Sequence, residues 1–316
     1  MDSKQPLVSI AIASYQHRKF LRECLDSVLS QTYKNIEVVI VDDGSTDGSQ
    51  EIIKDYASKH PNVITALFPF NKGVPYTQLK MLELCSGKYI CIFDGDDVMF
   101  PEKIEKQVNF LEKHPEYQMC FHDVMVFDDD DQKNLYTWSE KYDWTTCAKD
   151  ALFQANWSFK KTRTKRTPSG SKFGRASYIK NGVTDVRISA RIEFLFVLGM
   201  EASMPGASWY TIPEVLGIYR LHDHNISRAN SGNWLKNAEE ASVAFSLARV
   251  KFPSYINYIV NEEAFWWFNE ILHNPNLPQQ NKKYYTRDFR SRFGLLKYFY
   301  LIGYSAYLKI RRRGNN

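Results

Sequence analysis

The stretch Ile36–Ile53, IEVVIVDDGSTDGSQEII, decides the fold. Ile36 to Val41 is an apolar, β-branched run that reads as a buried strand. It ends abruptly in DDGSTDGS, where Gly and Asp signal a turn and Ser and Asp offer helix N-caps. SQEIIKDYASKH then carries a helical pattern. The stretch is a strand–turn–helix unit with acid at its turn.

Working outward, the same unit recurs. Upstream, LVSIAIA (Leu7–Ala13) reads as a strand, and RKFLRECLDSVLSQT places Phe20, Leu21, Cys24, Leu25, Val28 and Leu29 on one helical stripe. Downstream come the strand VITALF, a helix from Pro75 to Ser86 and the strand YICIF. Pro101 then opens PEKIEKQVNFLEKH, at a helix position where a missing N–H costs nothing. Near-continuous apolar strands alternating with helices predict an α/β, Rossmann-like, mostly parallel sheet with helices on both faces. In such sheets ligands bind beyond the carboxyl ends of the strands.

That rule singles out the strand endings. VIVDDGS and ICIFDGDD both end in acid, so parallel strands would bring Asp42, Asp43, Asp94, Asp96 and Asp97 to one rim. Three carboxylates within four positions repel, and one is driven toward protonation unless a cation is near. Mg²⁺ and Mn²⁺ take oxygen ligands and share them between carboxylates and substrate phosphates. Gly95 lets the backbone turn so that Asp94 and Asp96 face one site. The alternative is an acidic surface loop capping the helix that starts at Pro101.

From Asp128 to about Gly182 the alternation is lost. The block Asp128–Asp131 reads as a solvated turn, because like charges repel and stay exposed. VRISARIEFLFVLGM returns to an apolar helix, and ASWYTIPEVLGIYRLHDHNIS reads as a strand or two entering a polar loop. Beyond Asn230 the pattern is helical and aromatic-rich. These shifts divide the chain into a first segment at 1–127, a second at 128–230 and a C-terminal helical region at 231–316.

Composition narrows the function classes. The 316 residues suffice for one large core domain with a helical appendage. Lys and Arg number 41 against 36 acids, a formal charge of +5 that is too small to imply a nucleic-acid partner unless the basic residues are concentrated, as in KKTRTKR (Lys160–Arg166) and KIRRR (Lys309–Arg313); no nucleic-acid partner is expected. Cys24, Cys85, Cys91, Cys120 and Cys147 show no CxxC spacing and read as reduced core thiols of a cytoplasmic protein. The N-terminus has no basic start followed by a long apolar run, so no signal peptide is expected.

In order and spacing, VSIAIASYQ…FLRECLDSVLSQTYKNIEVVIVDDGSTDGS…NKG…SGKYICIFDGDDVMFPEKI resembles the family 2 nucleotide-sugar glycosyltransferases of the A-type fold. The resemblance covers about the first 115 residues and resumes at IPEVLGIYRLHDHNIS. It implies a metal-dependent, inverting transfer of a hexose or N-acetylhexosamine from a UDP-sugar donor to a saccharide or lipid-linked glycan acceptor in bacterial surface-polysaccharide synthesis. Ser14 and Tyr15 fall where the family's loop meets the base, and Asp43 matches the acid that hydrogen-bonds it. Asp94 matches the first acid of the DxD motif, near the ribose, and Asp96 the acid that binds Mn²⁺ or Mg²⁺. His222 falls where members carry a histidine close to that metal, with His224 behind it.

The catalytic base is less direct. The family's acid precedes the IPE string at the start of an apolar helix, and TDVRISARIEFLFVLGM aligns there in two ways. One puts Glu193 at the base position; the other puts Arg191 there, leaving Glu193 or Asp185 to reach in. The second alignment keeps a catalytically silent binding module in play. Gln16 stands where the family has asparagine, and PYTQLK stands where it has an arginine-containing run. Lys72 is the candidate substitute for that lost positive charge. The segment 293–313 mixes aromatic residues with a basic end, which suits an interfacial helix on the cytoplasmic face of the inner membrane. A helix packed on the catalytic domain is the alternative.

Overall fold

The computed structural model describes residues 5–141, 147–148, 169–188, 192–223, 225, 234–272, 279–294, 297 and 301. They form two compact units, one holding the described residues up to 225 and one those from 234 onward.

In the first unit β1 (Val8–Ser14), α1 (Leu21–Leu29), β2 (Ile36–Asp42), α2 (Ser49–Lys59), β3 (Val63–Leu67), α3 (Val74–Leu84) and β4 (Tyr89–Asp94) alternate as expected. The strands lie in the order β3-β2-β1-β4, all parallel. Ser14 stands opposite Asp42, and Ala13 opposite Asp94, so the acids do reach one rim. All seven residues of β2 are buried, as a strand covered on both faces requires. Ile10, Ile12, Val38 and Ile40 join Leu21, Leu25 and Val28 of α1 in the main core. Each such side chain contributes about 1.5–3 kcal/mol relative to exposure.

The sheet then extends with β5 (Val98–Met99), β6 (Tyr117–Asp128), β7 (Lys133–Thr137), β8 (Cys147–Ala148), β9 (Phe173–Arg175) and β10 (Ser208–Leu221). Between them lie α4 (Lys103–Lys113), α5 (Trp138–Lys141), a 3₁₀ turn at Ser169–Ser171, α6 (Ala176–Ile179) and α7 (Ile192–Ser203). β6 and β10 pair in parallel, and the antiparallel pairings come from short strands. The IPEVLGIYRL run is one long strand, whose register shifts fall around Pro213, a residue that cannot donate to the ladder. α4 begins at Lys103, two residues after the expected Pro101.

At the opposite end of the sheet, Glu37 is buried among donors. Its carboxylate accepts Ser9 Oγ at 2.5 Å, Ser86 N at 2.6 Å and Ser86 Oγ at 2.7 Å. Burial works to raise its pKa, but these hydrogen bonds outweigh it and hold the group below the ordinary carboxyl value. A lowered folded pKa gives stability that is present above the unfolded value near 4.5 and lost as pH falls through the folded one. Glu37→Gln is expected to cost about 1–3 kcal/mol in urea unfolding at pH 7, with the difference from wild type shrinking at pH 4 and below.

The second unit comprises α8 (Trp234–Lys251), α9 (Ile256–Trp266), a π-helical turn (Trp267–Leu272) and α10 (Gln279–Phe293). Phe245, Ile259, Phe268 and Phe289 fill its core. Among the described residues no helix is long and apolar enough to cross a membrane. Apart from residues 293, 294, 297 and 301, the interfacial-helix segment lies outside the described residues. Cys24, Cys85, Cys91 and Cys120 are free and buried; the Cys147 side chain lies outside the described set.

Candidate active site

The rim is built from the turns that follow β1, β2 and β4 and from the end of β10. After β2 the chain must reverse tightly. Asp42 caps its own turn, accepting Ser45 N at 2.8 Å, Ser45 Oγ at 2.6 Å, Gln50 Nε2 at 2.9 Å and Ser14 Oγ at 2.9 Å. Gly44 adopts φ +74°, and a Cβ there would stand 2.2 Å from the Phe70 carbonyl carbon, so no side chain is tolerated. Ser14 and Asp42 therefore shape the turn.

Asp43 points the other way. Its two oxygens accept Lys72 N at 2.7 Å and Gly73 N at 2.9 Å, anchoring the NKG turn before α3. Burial pushes its carboxyl above the ordinary value against those two bonds. The Lys72 ammonium lies over the rings of Phe68 and Phe70, at 4.6 and 5.7 Å. Tyr15 is 37% exposed on the same rim. Gln16 has φ 58°, a left-handed backbone that asparagine adopts more readily than most residues. Bonds from Gln16 N to Ser45 Oγ and between its amide and Thr46 support the conformation here.

The DGDD turn leaves β4 with Gly95 N bonded to Ala13 O and Asp97 N to Asp94 O. Its three acids receive different environments. Asp96, 7% exposed, has Oδ2 3.0 Å from His222 Nε2, 3.3 Å from Asn225 Nδ2 and 3.9 Å from His17 Nε2. Burial would raise its pKa, but the bond to His222 and the nearby His17 hold it below the ordinary value. Asp97 is fully enclosed, with Oδ1 accepting Arg220 N at 2.9 Å and Oδ2 without a hydrogen-bond partner among the described residues. Burial, reinforced by Asp96 and Asp94, pushes it well above the carboxylate range. The like charges are thus separated by environment, one held ionised and one driven toward neutrality.

His222 sits just past β10, its ring 4.6 Å from that of Phe20 and tilted by 31° to it, and its amide is fixed by Asn225 Oδ1 at 2.6 Å. A carboxylate and an imidazole are a donor set that suits Mn²⁺ and, less well, Mg²⁺. Among the described residues no group of three His, Cys, Asp or Glu side chains is arranged to hold a metal. The Asp96–His222 pair fits an ion that takes its other ligands from phosphate and water.

One expectation is corrected. Asp129 is no solvated acid: it is 4% exposed, bonded to Arg220 Nη1 at 2.9 Å and to Lys19 Nζ. Pairing with a distant cation overrides the self-repulsion read from the block, while Asp130 and Asp131 are exposed as expected. Arg220, His17 and Asn225 were not singled out in the sequence, and only their nearness to the quoted motifs hinted at them. Of the base candidates, Asp185 has both oxygens on the Arg187 guanidinium, at 2.8 Å each. Glu193 lies in the first turn of α7, with its side chain outside the described residues, as are Arg191 and His224.

Residues 9–182, more than half of the chain, match the family model for Glycosyl transferase family 2. The putative glycosyltransferase EpsE of Bacillus subtilis is 41% identical over 125 residues, 39% of this chain and 45% of EpsE. The chain therefore spans about half the length of that relative. Among solved structures, S. aureus TarS 1–349 in complex with UDP superposes with a TM-score of 0.56 at 16% identity, over 94% of this chain and 91% of that one. The mannosyltransferase PcManGT of Pyrobaculum calidifontis, with GDP-Man and Mn²⁺, gives 0.54 at 17% identity, over 98% and 81%. At these identities the two structures speak for the fold, an A-type glycosyltransferase sheet. The family match over residues 9–182 shows that the chain belongs to glycosyl transferase family 2.

Proposed function

We propose that this glycosyltransferase is a divalent-cation-dependent, inverting enzyme that moves a hexose or N-acetylhexosamine from a UDP-sugar to a saccharide hydroxyl. The observation that carries the reading is the buried Asp96–His222 pair at 3.0 Å, one turn from Asp94 on the rim that also holds Ser14, Tyr15 and Asp43. Relatives in fold bound to UDP and to GDP-Man with Mn²⁺ support a nucleotide-diphosphate donor. A lipid-linked acceptor of surface-polysaccharide synthesis, met at the cytoplasmic face of the membrane, belongs to the same proposal through the family resemblance.

Each residue has a task in this reading. Tyr15 offers its exposed ring to the base, and Asp43 holds the 72–73 backbone that borders it. Lys72 offers a positive charge beside that turn. Asp94 faces the ribose. Asp96 and His222 would hold a divalent cation, which when bound would supply positive charge to the diphosphate leaving group. Glu193 takes the acceptor hydroxyl proton as that oxygen bonds to the anomeric carbon and the bond from that carbon to the diphosphate oxygen breaks, inverting the centre.

The direct assay is nucleotide release from a panel of UDP-sugars and GDP-mannose with Mn²⁺, with and without EDTA. UDP release that stops on chelation and returns with excess Mn²⁺ is expected. Release indifferent to EDTA would remove the cation from the account, and GDP release would move the donor. Silence with every donor and acceptor extract would make the chain a binding module.

A further inference from the structure

Arg220 is 5% exposed, and its guanidinium donates to three partners far away in the chain. Nε donates to Asp96 O at 3.0 Å, Nη1 to Asp129 Oδ1 at 2.9 Å and Nη2 to Glu23 Oε2 at 2.6 Å. Its backbone N donates to Asp97 Oδ1 at 2.9 Å. Its carbonyl accepts Asn225 Nδ2 at 3.2 Å, the same amide nitrogen that lies 3.3 Å from Asp96 Oδ2. One residue thus ties together α1, the DGDD turn, the end of β6 and the turn that carries His222.

Phe20 completes the arrangement. Arg220 lies 5.1 Å above its ring and the His222 imidazole 4.6 Å from it, so cation and imidazole share one platform. Burying an arginine is unfavourable unless acids and hydrogen bonds surround it. Buried Asp129 and the exposed Glu23 supply the charge. Only a planar fork with several fixed donors reaches a backbone carbonyl and two carboxylates at once, which a lysine cannot do.

We propose that Arg220 is a positioning residue for the donor site, locking the Asp94–Asp97 turn to the end of β10 so that Asp96 and His222 keep their mutual geometry. The proposal rests on the reading of that pair as the cation and diphosphate site. Arg220 itself touches no substrate in this account; it acts through the Asp96 carbonyl, Asp97 and Asn225.

The test measures Mn²⁺ affinity in the presence of UDP, by the electron paramagnetic resonance signal of free Mn²⁺, alongside thermal melting. Arg220→Lys and Arg220→Gln are each expected to weaken that affinity about 10–100-fold, as losses of groups that orient metal ligands do. Failure of lysine to rescue would mark geometry rather than charge. Asp129→Asn and Glu23→Gln each remove a charged partner of the fork at the far end from Asp96, and serve if the Arg220 variants do not fold. Weakened affinity in either, at wild-type melting temperature, supports the proposal. Wild-type affinity in Arg220→Lys, or in both partner variants, would overturn it, provided Asp96→Asn has lost binding. If Asp96→Asn binds Mn²⁺ and UDP as wild type does, the donor-site reading has failed first.

Discussion

Asp96→Asn is expected to lower kcat/KM for sugar transfer by at least about 100-fold, the loss that follows when several kcal/mol of charge stabilisation is removed from a leaving diphosphate. Asparagine keeps the shape of the side chain and can still bond His222, so the buried turn should hold. What it lacks is the anion. In wild type, the bond to His222 and the neighbouring His17 keep Asp96 ionised despite its burial. An acid kept charged without solvent is prepared for a cation. The loss should appear in the Mn²⁺ concentration needed for activity as well as in the rate. A variant with unchanged Mn²⁺ dependence would place the cation elsewhere.

The second large effect is at the base. Glu193→Gln is expected to reduce turnover by about 10²–10⁴-fold, the range that a positioned general base supplies. Its signature differs from that of Asp96→Asn, because UDP and Mn²⁺ affinity should stay at the wild-type value. Helix α7, which carries Glu193, runs on through the buried residues Phe194, Leu195, Phe196 and Leu198. If Glu193→Gln keeps near-full turnover, Asp185→Asn is the next variant. Loss there would make Asp185 the base.

Much of the architecture was legible because its signals are local. The run EVVIV could be buried on both faces only in a covered parallel strand, and all of β2 is buried. Acid at the ends of two such strands then had to share a rim, as the register of Ser14 with Asp42 and Ala13 with Asp94 shows. What was not legible depends on partners far apart in sequence. Asp129 looked like one member of a solvated block because Arg220, 91 residues later, was not visible as its counter-ion. The means by which three clustered aspartates coexist was also hidden. It lies in the burial that drives Asp97 toward neutrality, and in a direct bond to Asp96 from His222, which the sequence offered only as a residue close to the metal.

The central claim is that Asp96 and His222 together hold a cation at the donor diphosphate. Anomalous diffraction at the manganese edge, on crystals of the protein grown with Mn²⁺ and UDP, tests it most directly. The account predicts one anomalous peak within coordination distance of Asp96 and His222 and of the UDP phosphates. A peak on other side chains, or UDP bound with no peak beside Asp96, would contradict it.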